Sequence, residues 1–291
     1  LMSELSLLIG GAATGGVYAL LLAGILLIYQ VSKAVNFGHG QFGMIAAFFS
    51  WYLYQQLGVN PLVAIVLAVL TAVVVAVLFD ALVLQRASDR QVGSDLVATL
   101  GLLLLATAIA ENVLGGRTQS YLTLGSRTVF DLGGLALNLS DLVTIVVALL
   151  SVLGLSLVRR RTRVGAMLNA VAENRAVAES LGIPSARVRV ATWALAAILA
   201  SVAGILVASR TSVDAYYMTP FAMKAFIAGI LGGLNRFGLP LAFAFGLGVY
   251  EAFVVYLLGA QAVTPAVFTL IIVVLAFAPR SYLSEGREAR A

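Results

Sequence analysis

The sequence predicts an all-α polytopic membrane bundle of about eight to ten spans or half-spans, with one short amphipathic helix on the cytoplasmic face. Three observations predict it. Of 291 residues, 61% are hydrophobic and 11% charged, where a soluble chain carries about a quarter charged residues. The apolar residues fall into runs near the roughly 20 residues that cross a hydrocarbon core. The basic residues gather on alternate connections between those runs.

Taken in order, the apolar stretches cover about 5–28, 40–56, 61–84, 95–115, 140–158, 189–209, 219–234, 238–258 and 263–279. The first has no basic stretch before it and no small-residue cleavage site behind it, so it reads as a span rather than a removable signal. The second and seventh are short for a full crossing, which marks them as candidate broken or re-entrant helices lined by protein. Residues 1–291 read as a single transmembrane domain whose cytoplasmic loop covers about 159–189.

Alternating the nine spans puts fourteen of the eighteen Lys and Arg on one side: Lys33, Arg86, Arg90, Arg159, Arg160, Arg161, Arg163, Arg175, Arg187, Arg189, Arg236, Arg280, Arg287 and Arg290. The other side holds Arg117, Arg127 and Arg210, and Lys224 lies inside a span. The positive-inside rule makes the basic side cytoplasmic, with the C-terminus inside and the N-terminus outside. The net charge of +5 follows from this topology and argues for no nucleic acid, because no basic helix is interleaved with aromatics. The chain has no cysteine, which excludes disulfides and thiolate metal sites. Gly11 and Gly15, and again Gly229 and Gly233, are spaced to let helix backbones approach closely.

Only one cytoplasmic connection is long. It opens Arg159-Arg160-Arg161-Thr162-Arg163 and runs on to Leu181-Gly182-Ile183-Pro184. Val164, Met167, Val171, Ala178 and Leu181 fall near helical spacing, Gly182 suits a C-cap and Pro184 forbids continuation. The residues alone leave two readings open, a helix resting in the lipid interface or one that docks a cytoplasmic partner.

This segment resembles the cytoplasmic coupling loop, the EAA loop, of bacterial ABC-importer permeases. More narrowly, it is similar to the high-affinity branched-chain amino acid (LivH-type) permease family at Gly165, Ala170, Ala172, Glu173, Ala178, Leu181, Gly182 and Ile183. Tyr18-Ala19-Leu20, Asn36-Phe37-Gly38-His39-Gly40, Met223-Lys224-Ala225-Phe226 and Leu231-Gly232-Gly233 resemble further family signatures, so the likeness covers nearly the whole chain. A basic residue expected near Asn169 is missing, Asn174 stands where an acid is common, and Asn235-Arg236 and Gly238-Leu239-Pro240 depart from the family's turn. The resemblance implies an importer of branched-chain or hydrophobic amino acids, or a related small polar solute, in a bacterial inner membrane. It implies a related second permease subunit, two cytoplasmic ATPase subunits that hold ATP and Mg, an external solute-binding protein, and alternating access.

Polar residues inside apolar stretches are the remaining signal. His39 is the one histidine, and a lone imidazole builds neither a metal site nor a triad. Neither Lys33 nor Lys224 sits in a P-loop context, so ATP would be hydrolysed by another polypeptide and this chain would hold no cofactor. Asn36, His39 and Gln41 read either as a satisfied turn or as a helix break facing a translocation path. Lys224 and Glu251 lie at similar depth, where a lone charge costs several kcal/mol. They are expected to pair, as a structural clamp or as part of the path. Asp80 and Glu111 lie near span ends, where reaching out to water accounts for them. A secondary transporter or channel would share the composition but not the coupling-loop motif, and a membrane-embedded enzyme would need a convergent acid–base cluster that only the Lys–Glu pair approaches.

Overall fold

The computed structural model describes residues 2–88, 93–114, 117–121, 129–131 and 136–277. Each of the nine apolar stretches becomes a helix. These are α1 (Met2–Ser32), α2 (His39–Gln55), α3 (Pro61–Phe79), α4 (Ser94–Leu114), α5 (Leu139–Arg161), α8 (Ser185–Ala208), α9 (Thr219–Gly232), α10 (Gly238–Leu258) and α11 (Val263–Phe277). The long loop supplies two more, α6 (Arg163–Glu173) and α7 (Arg175–Ser180). Among the described residues, six helices are long and apolar enough to cross a membrane. Short helical pieces follow α3 (Asp80–Leu84 and Gln85–Ser88) and precede α11 (Ala260–Ala262), and two antiparallel pairs of short strands join β1 (Gln119–Ser120) with β4 (Ser212–Val213) and β2 (Val129–Asp131) with β3 (Ala136–Asn138).

In a membrane an all-apolar helix suits lipid as well as the interior, and it is α1, with small residues where its neighbours approach, that occupies the centre. Its apolar window is 89% buried, against 22% for α3 and α4, and it packs against α5, α8, α9 and α10. Where α1 meets α10 the backbones touch: a Cβ on Gly248 would overlap Gly15, and one on Gly11 would lie 2.8 Å from the Ala252 methyl. Gly43 of α2 and Gly204 of α8 make the same kind of contact. Small residues permit such approach where lipid removes the hydrophobic drive between helices. On α3 the device is an alanine stripe. Ala64, Ala68, Ala72 and Ala76 are buried against the bundle, while Leu62, Val66, Leu70 and Val74 point outward. The expectation for Gly229 and Gly233 divides. Gly229 faces Leu22, but Gly233 caps α9 at φ +83 with nothing near its Cβ position.

The described Arg and Lys of the larger basic set lie at one end of the bundle, beyond α1 and α3, at the end of α5, along α6 and α7, at the start of α8 and between α9 and α10, with Arg117 and Arg210 at the other. Arg90, Arg127, Arg280, Arg287, Arg290 and the C-terminal end lie outside the described residues.

The two short helices do not cross the bundle. After Ser32 the chain turns at Lys33 (φ 55) and runs back along α1. It delivers His39 against Gly24, where a Cβ would sit 2.5 Å from the imidazole. Gly24 is eight residues inside α1, so α2 begins about 12 Å above the basic end. From the far end, residues 209–218 also dip inward, and Tyr217 Oη donates to the Gly204 carbonyl at 3.1 Å. The start of α9 therefore faces the start of α2, with Gly40 against Ala222 and the Phe37 and Phe226 rings 5.3 Å apart. From there α9 descends for 14 residues to Gly232, which abuts Pro240 at the head of α10. Both short stretches are half-spans whose N-termini meet inside the bundle.

Candidate functional site

At the basic end, the loop forms two helices where periodicity predicts one. Asn174 breaks them: its backbone is extended (φ −153, ψ 106) and its Oδ1 accepts from Val177 N–H at 3.1 Å. An asparagine caps a new helix at the cost of the old one, which resets the phase. Thr162 caps α6 by accepting from Gly165 N–H at 3.1 Å. Gly182 (φ +81) ends α7 with Ile183 N–H donating to Ala178 O and Gly182 N–H to Glu179 O, both 3.0 Å, a Schellman closure.

The inward face differs from the expected stripe. Leu168, Val171 and Ala178 pack with Val188 of α8, flanked by Val31, Met167, Ala170 and Ile183. Val164 and Leu181 instead point out, at 42% and 74% exposure. The restart at Asn174 turns Leu181 away, and Gly165, wedged against Val158 and Arg159 of α5, fixes a face that Val164 does not share. Among the remaining predicted coupling residues, Ala172 is half-buried and Glu173 and Gly182 are exposed. The pair is tied to the bundle through Lys33 Nζ donating to Ala172 O at 3.3 Å and Arg159 Nη2 donating to Asn169 Oδ1 at 2.9 Å. Glu179 accepts from Ser185 Oγ–H and from Arg175 Nε at 2.9 Å. The Ser185 hydroxyl first, and Arg175 second, hold its carboxyl below the usual carboxylate range.

Just above, the expectation for Asp80 is overturned. Its side chain does not reach water but is 2% exposed. It accepts from Arg189 Nε at 2.8 and 2.9 Å, from Arg189 Nη2 at 2.6 Å and from Gln85 at 3.1 Å. A charge so buried persists only when paired and hydrogen-bonded, and Arg189 supplies the fork-shaped partner. A π-helical turn, Asp80–Leu84, begins at this residue. Glu111 is exposed.

Deep in the bundle, the five path candidates fall into separate groups. Asn36 and Gln41, 4% and 1% exposed, line a small enclosed void between the half-span N-termini, together with Thr219. Both polar atoms of Asn36, Gln41 Oε1 and Thr219 Oγ1 lack a hydrogen-bond partner among the described residues. His39 lies apart, fully buried against Gly24 and edge-on to Phe42 at 6.1 Å. On the other side of α9, Lys224 Nζ stands 2.9 Å from Glu251 Oε1 and 3.0 Å from Oε2. Tyr18 Oη donates to Glu251 Oε2 at 2.7 Å. This three-residue centre joins α1, α9 and α10.

Sequence reasoning did not mark four polar residues of these sites, besides the Arg189 partner of Asp80. Tyr18 and Thr219 carried no charge to draw notice. Asp141, at the head of α5, and Arg210, just beyond α8, form an ion pair of 2.7 Å, and each sits beside a connection where a charge passes for ordinary. No group of three His, Asp or Glu that could hold a metal exists among the described residues.

Half-spans meeting around buried polar groups, a charged centre within the spans and a helix pair packed on the basic end are the features of a polytopic membrane transport protein. The family model for branched-chain amino acid transport system permease components matches residues 7–277, and the chain belongs to that family. It is 27% identical to the high-affinity branched-chain amino acid transport system permease protein BraD of Pseudomonas aeruginosa, over 95% of this chain and 94% of that one. It is 29% identical to LivH of Salmonella typhimurium over 94% and 93%, and 26% identical to a probable LivH of Methanocaldococcus jannaschii over 88% and 83%. Among solved structures, PsaBC from Streptococcus pneumoniae in complex with Fab matches with a TM-score of 0.53 and 12% identity, over 94% of this chain and 91% of that chain. That likeness is one of fold.

Proposed function

We propose that this permease subunit of an ABC importer moves branched-chain amino acids inward across a bacterial inner membrane, as one transmembrane domain over residues 1–291. Its basic end is cytoplasmic, and the C-terminus lies on that side. Partner ATPase subunits bind ATP and Mg, a related second permease completes the membrane unit, and a solute-binding protein delivers substrate at the far end. The chain itself carries out no hydrolysis.

The observation that carries this reading is the α6–α7 pair. Its inner face is fastened to α1, α5 and α8, while Val177 and Leu181 stand out at 53% and 74% exposure. With Val164 they leave exposed apolar side chains on a helix pair packed against the bundle, which a cytoplasmic partner can cover. A push on that surface reaches three helices at once, one of which carries Tyr18 of the charged centre. Asn36, His39, Gln41, Lys224 and Glu251 border the route, and the half-span N-termini offer polar groups there. ATP drives transport because the motors bind one conformation of the bundle better than the other; equal affinity would move nothing.

The chain has no cysteine, so single reporters are clean. Leu181→Cys and Val177→Cys should lose maleimide reactivity when the ATPase subunits bind, while Thr211→Cys at the far end should not. Unchanged labelling at both positions would rule out docking through α6–α7.

A further inference from the structure

At the end opposite the basic residues lies a cavity of about 610 Å³, walled by α1, the head of α5, the last turns of α10 and the start of α11. Its volume falls within the roughly 300–1,000 Å³ of small-molecule sites. Leu7, Val255 and Val263 give it apolar walls, and Asp141, Arg210 and Glu251 give it charge. Asp141 and Glu251 are 9% and 6% exposed, so little water screens them.

The charges are arranged as a dipole. Arg210 faces Asp141 at 2.7 Å, and the Glu251 carboxylate is balanced from behind by Lys224 at 2.9 Å. A simple anion placed here meets two carboxylates, and a simple cation meets Arg210. A molecule that carries both charges a few ångströms apart can set a carboxylate on Arg210 and an ammonium toward Asp141 or Glu251. The apolar walls then receive an uncharged side chain. We propose that this cavity is a binding site of the permease itself for the zwitterionic head of an aliphatic amino acid, with Arg210 and Asp141 as specificity-determining residues. Glu251 belongs to both the cavity and the Tyr18–Lys224 centre, so the ammonium can pass inward without leaving a carboxylate. The proposal rests on the substrate reading given above and names the residues that would recognise that substrate.

The test uses the assembled transporter without its solute-binding protein, carrying Val255→Cys as a reporter. L-Leucine should slow maleimide labelling at Val255→Cys. Two one-charge analogues, 4-methylpentanoate and isopentylamine, should fail to do so at tenfold higher concentration. The swap Asp141→Arg/Arg210→Asp keeps an ion pair but reverses the dipole. It should keep the thermal stability of the complex while raising the half-protecting leucine concentration roughly ten- to hundredfold, the effect of losing a charge-assisted contact. Equal protection by all three compounds, protection that survives the swap, or no protection by any solute, as for a lipid-filled groove, would each overturn the proposal. Leucine uptake by the intact transporter is measured in parallel. Uptake without protection refutes the cavity site alone, whereas absent uptake refutes the substrate reading whatever the reporter shows.

Discussion

Removing one member of the Lys224–Glu251 pair should cost more than removing both members would suggest. After Lys224→Met, the Glu251 carboxylate, 8% exposed, keeps the Tyr18 hydroxyl at 2.7 Å as its one partner among the described residues. Stranding a buried charge costs about 3–5 kcal/mol, and the surviving hydrogen bond places this case near ~3 kcal/mol. After Glu251→Gln, the lysine is 23% exposed and can extend toward water, while glutamine still accepts from Tyr18, so about 1–2 kcal/mol is expected. In the double variant neither charge is stranded. Its loss should fall short of the sum by about 2 kcal/mol, inside the usual range for contacting residues. The assay is equilibrium unfolding in mixed micelles for the four members of the cycle. Effects that add to within roughly 0.5 kcal/mol would show that the two charges do not stabilise each other.

Gly165→Ala should displace α6 from α5, because the added methyl overlaps Val158 O and Arg159; uptake should fall about tenfold or more with assembly intact, an order of magnitude set by small errors in positioning. Gly248→Ala should destabilise the bundle by about 1–3 kcal/mol through overpacking against Gly15. Gly246→Ala, two residues away with nothing within 4 Å of its Cβ position, should be neutral or stabilising by up to ~1 kcal/mol in the same unfolding assay. Because the Glu179 carboxyl is held below its ordinary range by Ser185 and Arg175, its contribution is fully present above the ordinary carboxylate pKa and is lost as pH falls through the lowered one. Protection factors of the α7 amides, with the intrinsic pH dependence of exchange divided out, should therefore be flat across neutral pH and fall only in acid; a fall near neutrality would contradict that contact.

Much of the architecture was legible because composition and charge asymmetry are one-dimensional signals. The short lengths of the second and seventh stretches even marked the half-spans. What they could not give was direction, since the return of the chain at Lys33 shows only when His39 meets Gly24. The helix break was hidden because Asn174 fits the polar side of one long helix as well as the cap of a second. Asp80 was misread for a related reason: beside a span end a charge needs no partner, and Arg189 stands 109 positions away. The Lys224–Glu251 pair was visible because both charges interrupt apolar runs, while Asp141 and Arg210 interrupt none.

ATP-dependent uptake by proteoliposomes tests the central claim most directly. With the ATPase subunits, the second permease and the solute-binding protein, labelled leucine should accumulate only when ATP is hydrolysed, and Gly165→Ala should break that link while the complex remains assembled. Accumulation driven by an ion gradient, or leucine flux through this chain without the ATPase subunits, would contradict the account.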